Sequence, residues 1–326
     1  MLLLANAPDA NAQDVNAQEG RMEPVFERRY MVASFASFSA MLARFLDEYR
    51  QRCARKTRLS CACFGAAGPV SDGRIQMTNL DWCLDGAAIA EEFQIGRVRV
   101  VNDFEAAASG IEALAPGDSA LLQEGEPLFG AARVVIGAGT GLGVAYALPE
   151  RNGYRVIAGE GGHAGFSPAD DEQMQLWQAL KQEHGRVSVE HVVSGPGLER
   201  IYAYLQTRSR LGEALPEALV SAEDAAAISR LAMEHNDRLA NRALDLFIAC
   251  YGAVAGDHAL TVNARGGVFV AGGIAAKVLG RLRAGGFVTA FNAKGGHARM
   301  NLRMPVRVVT TERLGLLGAA LIASRR

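Results

Sequence analysis

The sequence is poor in cysteine, tryptophan and net charge, and each shortage excludes something. Five cysteines in 326 residues, Cys53, Cys61, Cys63, Cys83 and Cys250, form no pair of Cys-x-x-Cys units. Their odd number in so long a chain reads as reduced, mostly buried thiols rather than a disulfide framework. No apolar run approaches 18 residues, so no membrane-spanning helix is expected. Leu2–Leu4 are too short for a signal-peptide core and lack a basic flank, so a cytoplasmic protein is expected. The formal net charge is −1, which argues against a nucleic-acid surface, since such a surface is strongly basic. What the chain does have is a 49% hydrophobic composition and 36 glycines, many of them clustered. The first supports a sizeable core, in one large or two ordinary domains. The second points to tight loops near ligands.

Strand and helix patterns alternate over the first hundred residues, the signature of an α/β domain. Residues 24–31 read as a strand. Residues 35–52 carry apolar side chains at helical spacing. Residues 59–69 read as a buried strand that stops at Gly-Pro, 85–95 as a helix and 97–104 as a strand ending in polar residues. A second α/β region follows, with a strand at 132–139 and helices at 170–184 and 188–205. Helices also fill 222–262, with expected breaks near Gly252 and Gly256. Strands at 266–273 and 304–311 precede a last helix at 315–326.

Gly137-Ala138-Gly139-Thr140-Gly141-Leu142-Gly143 follows a Val-Val-Ile strand. It lacks the Lys-Ser/Thr of a P-loop, and no frame fits G-x-G-x-x-G. The following "VAYAL" is β-branched and aromatic, which favours a hairpin over a strand-to-helix turn. Its glycine N–H groups and the Thr140 hydroxyl could wrap a phosphate, or the stretch could be an ordinary glycine-rich turn. Asn102 and Asp103 sit at the carboxyl end of a strand, where α/β proteins place ligand groups. Asp103 could accept a proton from a substrate hydroxyl, and the pair could equally form an Asx turn or helix cap. Glu160-Gly161-Gly162-His163 offers an acceptor and an amphoteric imidazole around a flexible glycine pair, suited to sugar hydroxyls or to a plain surface turn. Glu190 falls in an expected helix start, where a carboxylate is favourable in any case.

These pieces occur together, in the order "GAAGPVSDGRIQMTNLDW" (65–82), "VVNDF" (100–104), "IGAGTGLGVA" (136–145), "GEGGHAGFSP" (159–168), "VSVEHVVSGPGL" (187–198) and "GGVFVAGGI" (266–274). The chain so resembles bacterial glucokinases of the hexokinase and actin-like sugar kinase superfamily, from about residue 22 to the end. The resemblance implies an α/β, two-domain actin-like ATPase (ribonuclease H-like) fold with a central cleft. Residues 1–110 plus 312–326 would form the small domain and 111–311 the large one. Glucose would be held by Asn102, Asp103, Glu160, His163 and Glu190, with Asp103 as the base. ATP phosphates would lie at Gly137, Gly139, Thr140 and Gly141, adenosine against Gly272 and Gly273, and Mg²⁺ on the phosphates. A homodimer is a family expectation. Residues 164–190 hold no cysteine, so the structural zinc of a related sugar-kinase group is not expected.

One stretch departs from the family. Its first phosphate loop has the form Asp-aliphatic-Gly-Gly-Thr-Asn-Ala-Arg, and aligning on Asn11-Ala12 places Leu2–Leu4 as the first strand. Asn6 then replaces the metal-holding Asp, Pro8 and Asp9 replace Gly-Gly, Ala10 replaces Thr and Gln13 replaces Arg. Asn6 offers no formal charge to Mg²⁺. Pro8 removes an N–H and fixes φ. Asp9 brings a negative charge towards phosphate, which at 4 Å repels by about 1 kcal/mol in water and about 4 kcal/mol at an effective dielectric of 20. Two functions from different classes remain open: an ATP-dependent glucokinase impaired by the altered loop, and a catalytically weak paralogue that acts as a sugar-binding or regulatory protein. A third reading is that the leader arises from a gene truncation or frameshift, with the intact loop kept in a working homologue.

Overall fold

A computed structural model describes residues 2–3, 24–53, 59–77, 80–151, 153–210 and 224–325. The altered loop at 6–13 lies outside the described residues. Two compact units emerge, Met1–Pro116 with Glu312–Arg326, and Gly117–Thr311.

In the first unit, β1 (Leu2–Leu3) pairs antiparallel with β2 (Phe26–Glu27). Only this pair of residues within 24–31 is strand; a 3₁₀ turn follows at Val32–Ser34. Helix α1 (Phe38–Cys53) buries Phe38, Leu42, Phe45, Leu46 and Tyr49. That spacing puts one stripe on the core, where Phe26, Ile75, Leu84, Ile89 and Val100 meet it. Strands β3 (Ala62–Ala66) and β7 (Val98–Asn102) run parallel, with Ala66 opposite Asn102. A parallel pair needs a crossover. Here it is a ribbon of β4 (Val70–Ser71), β5 (Arg74–Gln76) and β6 (Cys83–Asp85), then α2 (Gly86–Phe93). Asp85 caps α2 through the Ala87 and Ala88 N–H groups. The Ala88 N–H is the main cause of its carboxyl lying below the usual range. β7 feeds α3 (Asp103–Gly110), which packs on the last helix, α12 (Leu314–Ser324).

The second unit is built on a six-stranded mixed sheet. Its strands are β8 (Ser119–Gln123), β9 (Arg133–Ala138), β10 (Leu142–Glu150), β11 (Gly153–Gly159), β12 (Gly267–Ala271) and β13 (Val306–Val309). Their order is β11-β10-β9-β12-β13-β8. The central pair, β9 and β12, is parallel and apolar on both faces, with Val134, Val135, Ile136, Val268 and Val270 fully buried. Around the sheet lie α4 (Asp171–His184), α5 (Gly195–Arg210), α6 (Ala225–Met233) and α7 (Arg238–Val262). Four short helices follow: α8 (Gly273–Lys277), α9 (Leu279–Arg283), α10 (Gly286–Asn292) and α11 (Ala298–Leu302).

Helix α7 corrects one expectation. It runs unbroken through Gly252 and Gly256. A Cβ on Gly252 would collide with the Phe287 carbonyl, and one on Gly256 with the Phe291 carbonyl, both in α10. The two glycines let two helix backbones touch; they do not end a helix. By length and composition α7 could also cross a bilayer, but 67% of its most apolar stretch is buried in this unit. It is the core helix of the domain.

Candidate functional site

The carboxyl ends of β9 and β12 form a switch point in the second unit. The two strands are neighbours as far as Gly137 opposite Ala271. Beyond that pair they part. β9 turns back through residues 139–141 into β10 on one side, while β12 leads through Gly272 and the short helices that begin at Gly273 to β13 on the other. A crevice where adjacent strands send their chains in opposite directions is where α/β sheets bind ligands. Gly272 has φ 87°, and a Cβ there would lie 2.5 Å from the Ala138 carbonyl oxygen. Only glycine allows the two sides to approach so closely. Beneath the parting strands sits the fully buried Tyr251 of α7. Its hydroxyl accepts the Ala138 N–H at 3.1 Å and donates to the Ile136 carbonyl at 3.2 Å. Burial raises the pKa of this phenol, so it stays protonated and can donate.

The glycine hairpin is held from one side. Within it the Gly139 N–H donates to the Gly141 carbonyl at 2.8 Å. Its Gly139 carbonyl accepts the Gly195 N–H at 2.7 Å. Its Leu142 N–H donates to Glu190 Oε2 at 2.8 Å. The Thr140 hydroxyl and the Thr140 and Gly141 amides take no part in these bonds, and Thr140 is exposed. They are donors at the tip of the hairpin that an anion could use. The first turn of α5 is already capped: Ser194 Oγ accepts the Gly197 N–H at 3.0 Å and donates to the Glu190 carbonyl at 2.7 Å.

Glu160, His163 and Glu190 gather beside this hairpin. Backbone bonds lay residues 162–166 alongside 187–190: Phe166 to Val187, Val189 to Ala164, and Glu190 to the Gly162 carbonyl at 2.8 Å. Side chains thirty positions apart in sequence thereby share one corner of the unit. Gly162 packs so closely on the Leu142 carbonyl that a Cβ would not fit. Glu160 Oε2 and His163 Nε2 stand 3.7 Å apart with 79% and 60% of their side chains exposed, open to hydrogen-bond partners. Glu190 does not start a helix: α5 begins at Gly195, and Glu190 belongs to the turn before it. Behind Gly161 lies His258, its Nδ1 paired with the Tyr146 hydroxyl at 2.7 Å. Burial lowers the pKa of His258.

In the first unit, Asn102 caps α3. Its Oδ1 accepts the Phe104 and Glu105 N–H groups at 2.9 and 3.3 Å, and its Nδ2 donates to the Gly68 carbonyl at 3.1 Å. An amide nitrogen carries two protons, so one Nδ2 hydrogen remains for a ligand. Asp103 is the first residue of α3 and exposed; its Oδ1 accepts the Phe104 N–H at 2.8 Å and its Oδ2 is open.

Among the described residues, no group of three or more His, Cys, Asp or Glu is placed to hold a metal ion. Mg²⁺ rarely uses such a cage. It rides on phosphates with one or two carboxylates, so its place would be set by a nucleotide. Tyr251, the Tyr146–His258 pair and Ser194 escape a sequence reading. Tyr251 alone carries a usable signal: a phenol in an otherwise aliphatic core helix must find a partner.

Residues 9–326 match the family model described as glucokinase. A Synechocystis protein named glucokinase is 37% identical over 324 residues, covering 94% of this chain and 91% of that protein. The crystal structure of a glucokinase from an Antarctic psychrotroph superimposes with a TM-score of 0.81 at 29% identity, covering 93% of this chain and 90% of that one. A glucokinase of the ROK family from Streptomyces griseus, solved with glucose and AMPPNP, shares the fold. Its TM-score is 0.57 at 20% identity, over 87% of this chain and 86% of that one.

Proposed function

This chain belongs to the glucokinase family, and from that premise we propose that it transfers the γ-phosphoryl group of ATP to the 6-hydroxyl of glucose. One observation carries the reading. In the second unit a polar set suited to sugar hydroxyls abuts a glycine hairpin suited to phosphate: Leu142 of the hairpin meets Glu190 through its N–H and Gly162 through its carbonyl. Glu160, His163 and Glu190 bind hydroxyls, and Asn102 adds its remaining Nδ2 hydrogen. Each polar group makes a demand that a wrong epimer leaves unmet, at about 1–3 kcal/mol per orphaned group. Asp103 takes the proton from the 6-hydroxyl through its open carboxylate oxygen as the alkoxide attacks phosphorus and ADP leaves.

The amides of Thr140 and Gly141, which take no part in the bonds that hold the hairpin, suit the phosphates of ATP. Mg²⁺ bound with them would neutralise charge. On the protein side Asn6, a neutral amide where the family has a carboxylate, does not fit the role of its ligand. A second reading rests on that stretch: with Asn6, Pro8, Asp9 and Ala10 in the first phosphate loop, the chain binds sugar without turning it over.

A coupled assay for glucose 6-phosphate, run beside glucose calorimetry, separates the two. Turnover near 10 s⁻¹, an ordinary enzyme rate, removes the binding-only reading. Glucose binding without turnover, rescued by restoring Asp-x-Gly-Gly-Thr at 6–10, removes the enzyme reading. Asp103→Asn is expected to abolish turnover and leave glucose binding in place. Wild-type turnover in that variant would show that Asp103 is not the base.

A further inference from the structure

We infer that Glu190 has a second task besides binding sugar: its carboxylate holds the glycine hairpin in its phosphate-binding shape, as a positioning residue for the nucleotide. The inference rests on the sugar-kinase reading above. Its geometry stands apart from that reading.

The tip of the hairpin, Thr140-Gly141, is flanked by two bonds that reach the same short segment. On one side the Gly139 carbonyl accepts the Gly195 N–H at 2.7 Å. On the other the Leu142 N–H donates to Glu190 Oε2 at 2.8 Å. The carboxylate enters because residue 141 lacks a side chain: a Cβ there would lie 2.5 Å from Oε2. Glu190 is itself fixed at both ends. Its N–H donates to the Gly162 carbonyl at 2.8 Å, and its carbonyl accepts the Ser194 hydroxyl at 2.7 Å.

Electrostatics alone would not put a carboxylate here. A loop that only bound phosphate would keep the Leu142 amide for the anion and exclude a second negative charge. The arrangement makes sense if the charge serves the sugar through Oε1 while Oε2 fixes the loop. Sugar and nucleotide sites then share one side chain, and by whatever factor glucose changes AMPPNP affinity, AMPPNP changes glucose affinity.

The test measures AMPPNP affinity by calorimetry without sugar, and glucose affinity without nucleotide. Glu190→Ala is expected to weaken AMPPNP about ten-fold, the loss of one hydrogen bond to a charged group. Glu190→Gln keeps an oxygen for the Leu142 N–H, so its AMPPNP affinity should stay within about three-fold of wild type. Gly141→Ala fills the carboxylate's place and should weaken glucose several-fold with no nucleotide present. AMPPNP binding within two-fold of wild type in Glu190→Ala, or an equal loss in the Gln variant, would overturn the inference. So would unchanged glucose affinity in Gly141→Ala. Should Glu190→Ala fail to fold, the Gln and Gly141 variants decide alone. Wild-type glucose affinity in Glu190→Ala would instead count against the sugar role, leaving the nucleotide result to judge this one.

Discussion

Gly272 and Gly273 are neighbours with opposite tolerances, and the contrast tests the switch-point geometry. At Gly272 the backbone has φ 87°, and an added Cβ would stand 2.5 Å from the Ala138 carbonyl oxygen. With ψ 162° this is a backbone conformation essentially confined to glycine, and it costs an L-residue about 1–3 kcal/mol. Real Cβ contacts begin near 3 Å, so Ala138 must also retreat by about half an ångström, and overpacking of that kind costs about 1–3 kcal/mol. Ala138 has little freedom to retreat, because Tyr251 holds its N–H and Leu142 pairs with it across the hairpin. Gly272→Ala should therefore destabilise the second unit by about 2–6 kcal/mol. At Gly273 a Cβ meets nothing within 4 Å. Alanine there should be neutral or slightly stabilising at the start of a helix. Urea unfolding followed by fluorescence reads the difference, since Trp177 lies in the second unit. A Gly272→Ala variant within 0.5 kcal/mol of wild type would refute the close-approach argument. The same pair reports on nucleotide contact. If adenosine lies on Gly273, Gly273→Ala raises the KM for ATP with stability unchanged, and an unchanged KM would remove Gly273 from the site.

Tyr251→Phe should cost about 1–3 kcal/mol in urea unfolding, because the buried Ala138 N–H loses its acceptor while the ring still packs; a neutral variant would mean that N–H has another partner. Acid should destabilise the chain in part through His258. Its native pKa is lowered by burial, with Asp257 opposing, so the unfolded chain binds more protons there. That contribution is present above the unfolded value of about 6.5 and lost as pH falls through the native one. The melting temperature should fall between pH 7.5 and 5.5, and fall less in His258→Gln. Equal slopes in the two proteins would place the sensitivity elsewhere.

Elements with long, regular patterns were legible in the sequence for a physical reason. The stripe Phe38, Leu42, Phe45, Leu46, Tyr49 allows only a helix with one face on a core. The Val-Val-Ile run before Gly137 and Val144 and Tyr146 after Gly143 favour a hairpin over a helix start, as found in β9 and β10. The short helices between 273 and 302 were not legible, because segments of five to seven residues are too short to show a period. Gly252 and Gly256 misled because glycine is read locally as a breaker, whereas here its value is the room it leaves for α10. Glu190 reads as a helix start for a related reason. Val189, Val192 and Val193 stand at i, i+3 and i+4 and suit a helical face, but backbone bonds to residues 162–166 claim the segment. Such bonds between distant stretches leave no trace in side-chain patterning.

Asn102 shows why local structure and function need not compete for a residue. The sequence left two alternatives, a helix cap or a ligand group. The cap uses Oδ1, and the Gly68 carbonyl uses one Nδ2 hydrogen. A second hydrogen stays available at the mouth of the strand. Anchoring makes such a group more useful to a ligand, because its rotamer is fixed before binding and little entropy is lost on contact. Glu190 repeats the pattern, with Oε2 engaged by the Leu142 N–H and Oε1 outside that bond. A polar residue with one atom tied down and one left over therefore carries more information about function than a wholly free one. It can be recognised only once the tie is seen.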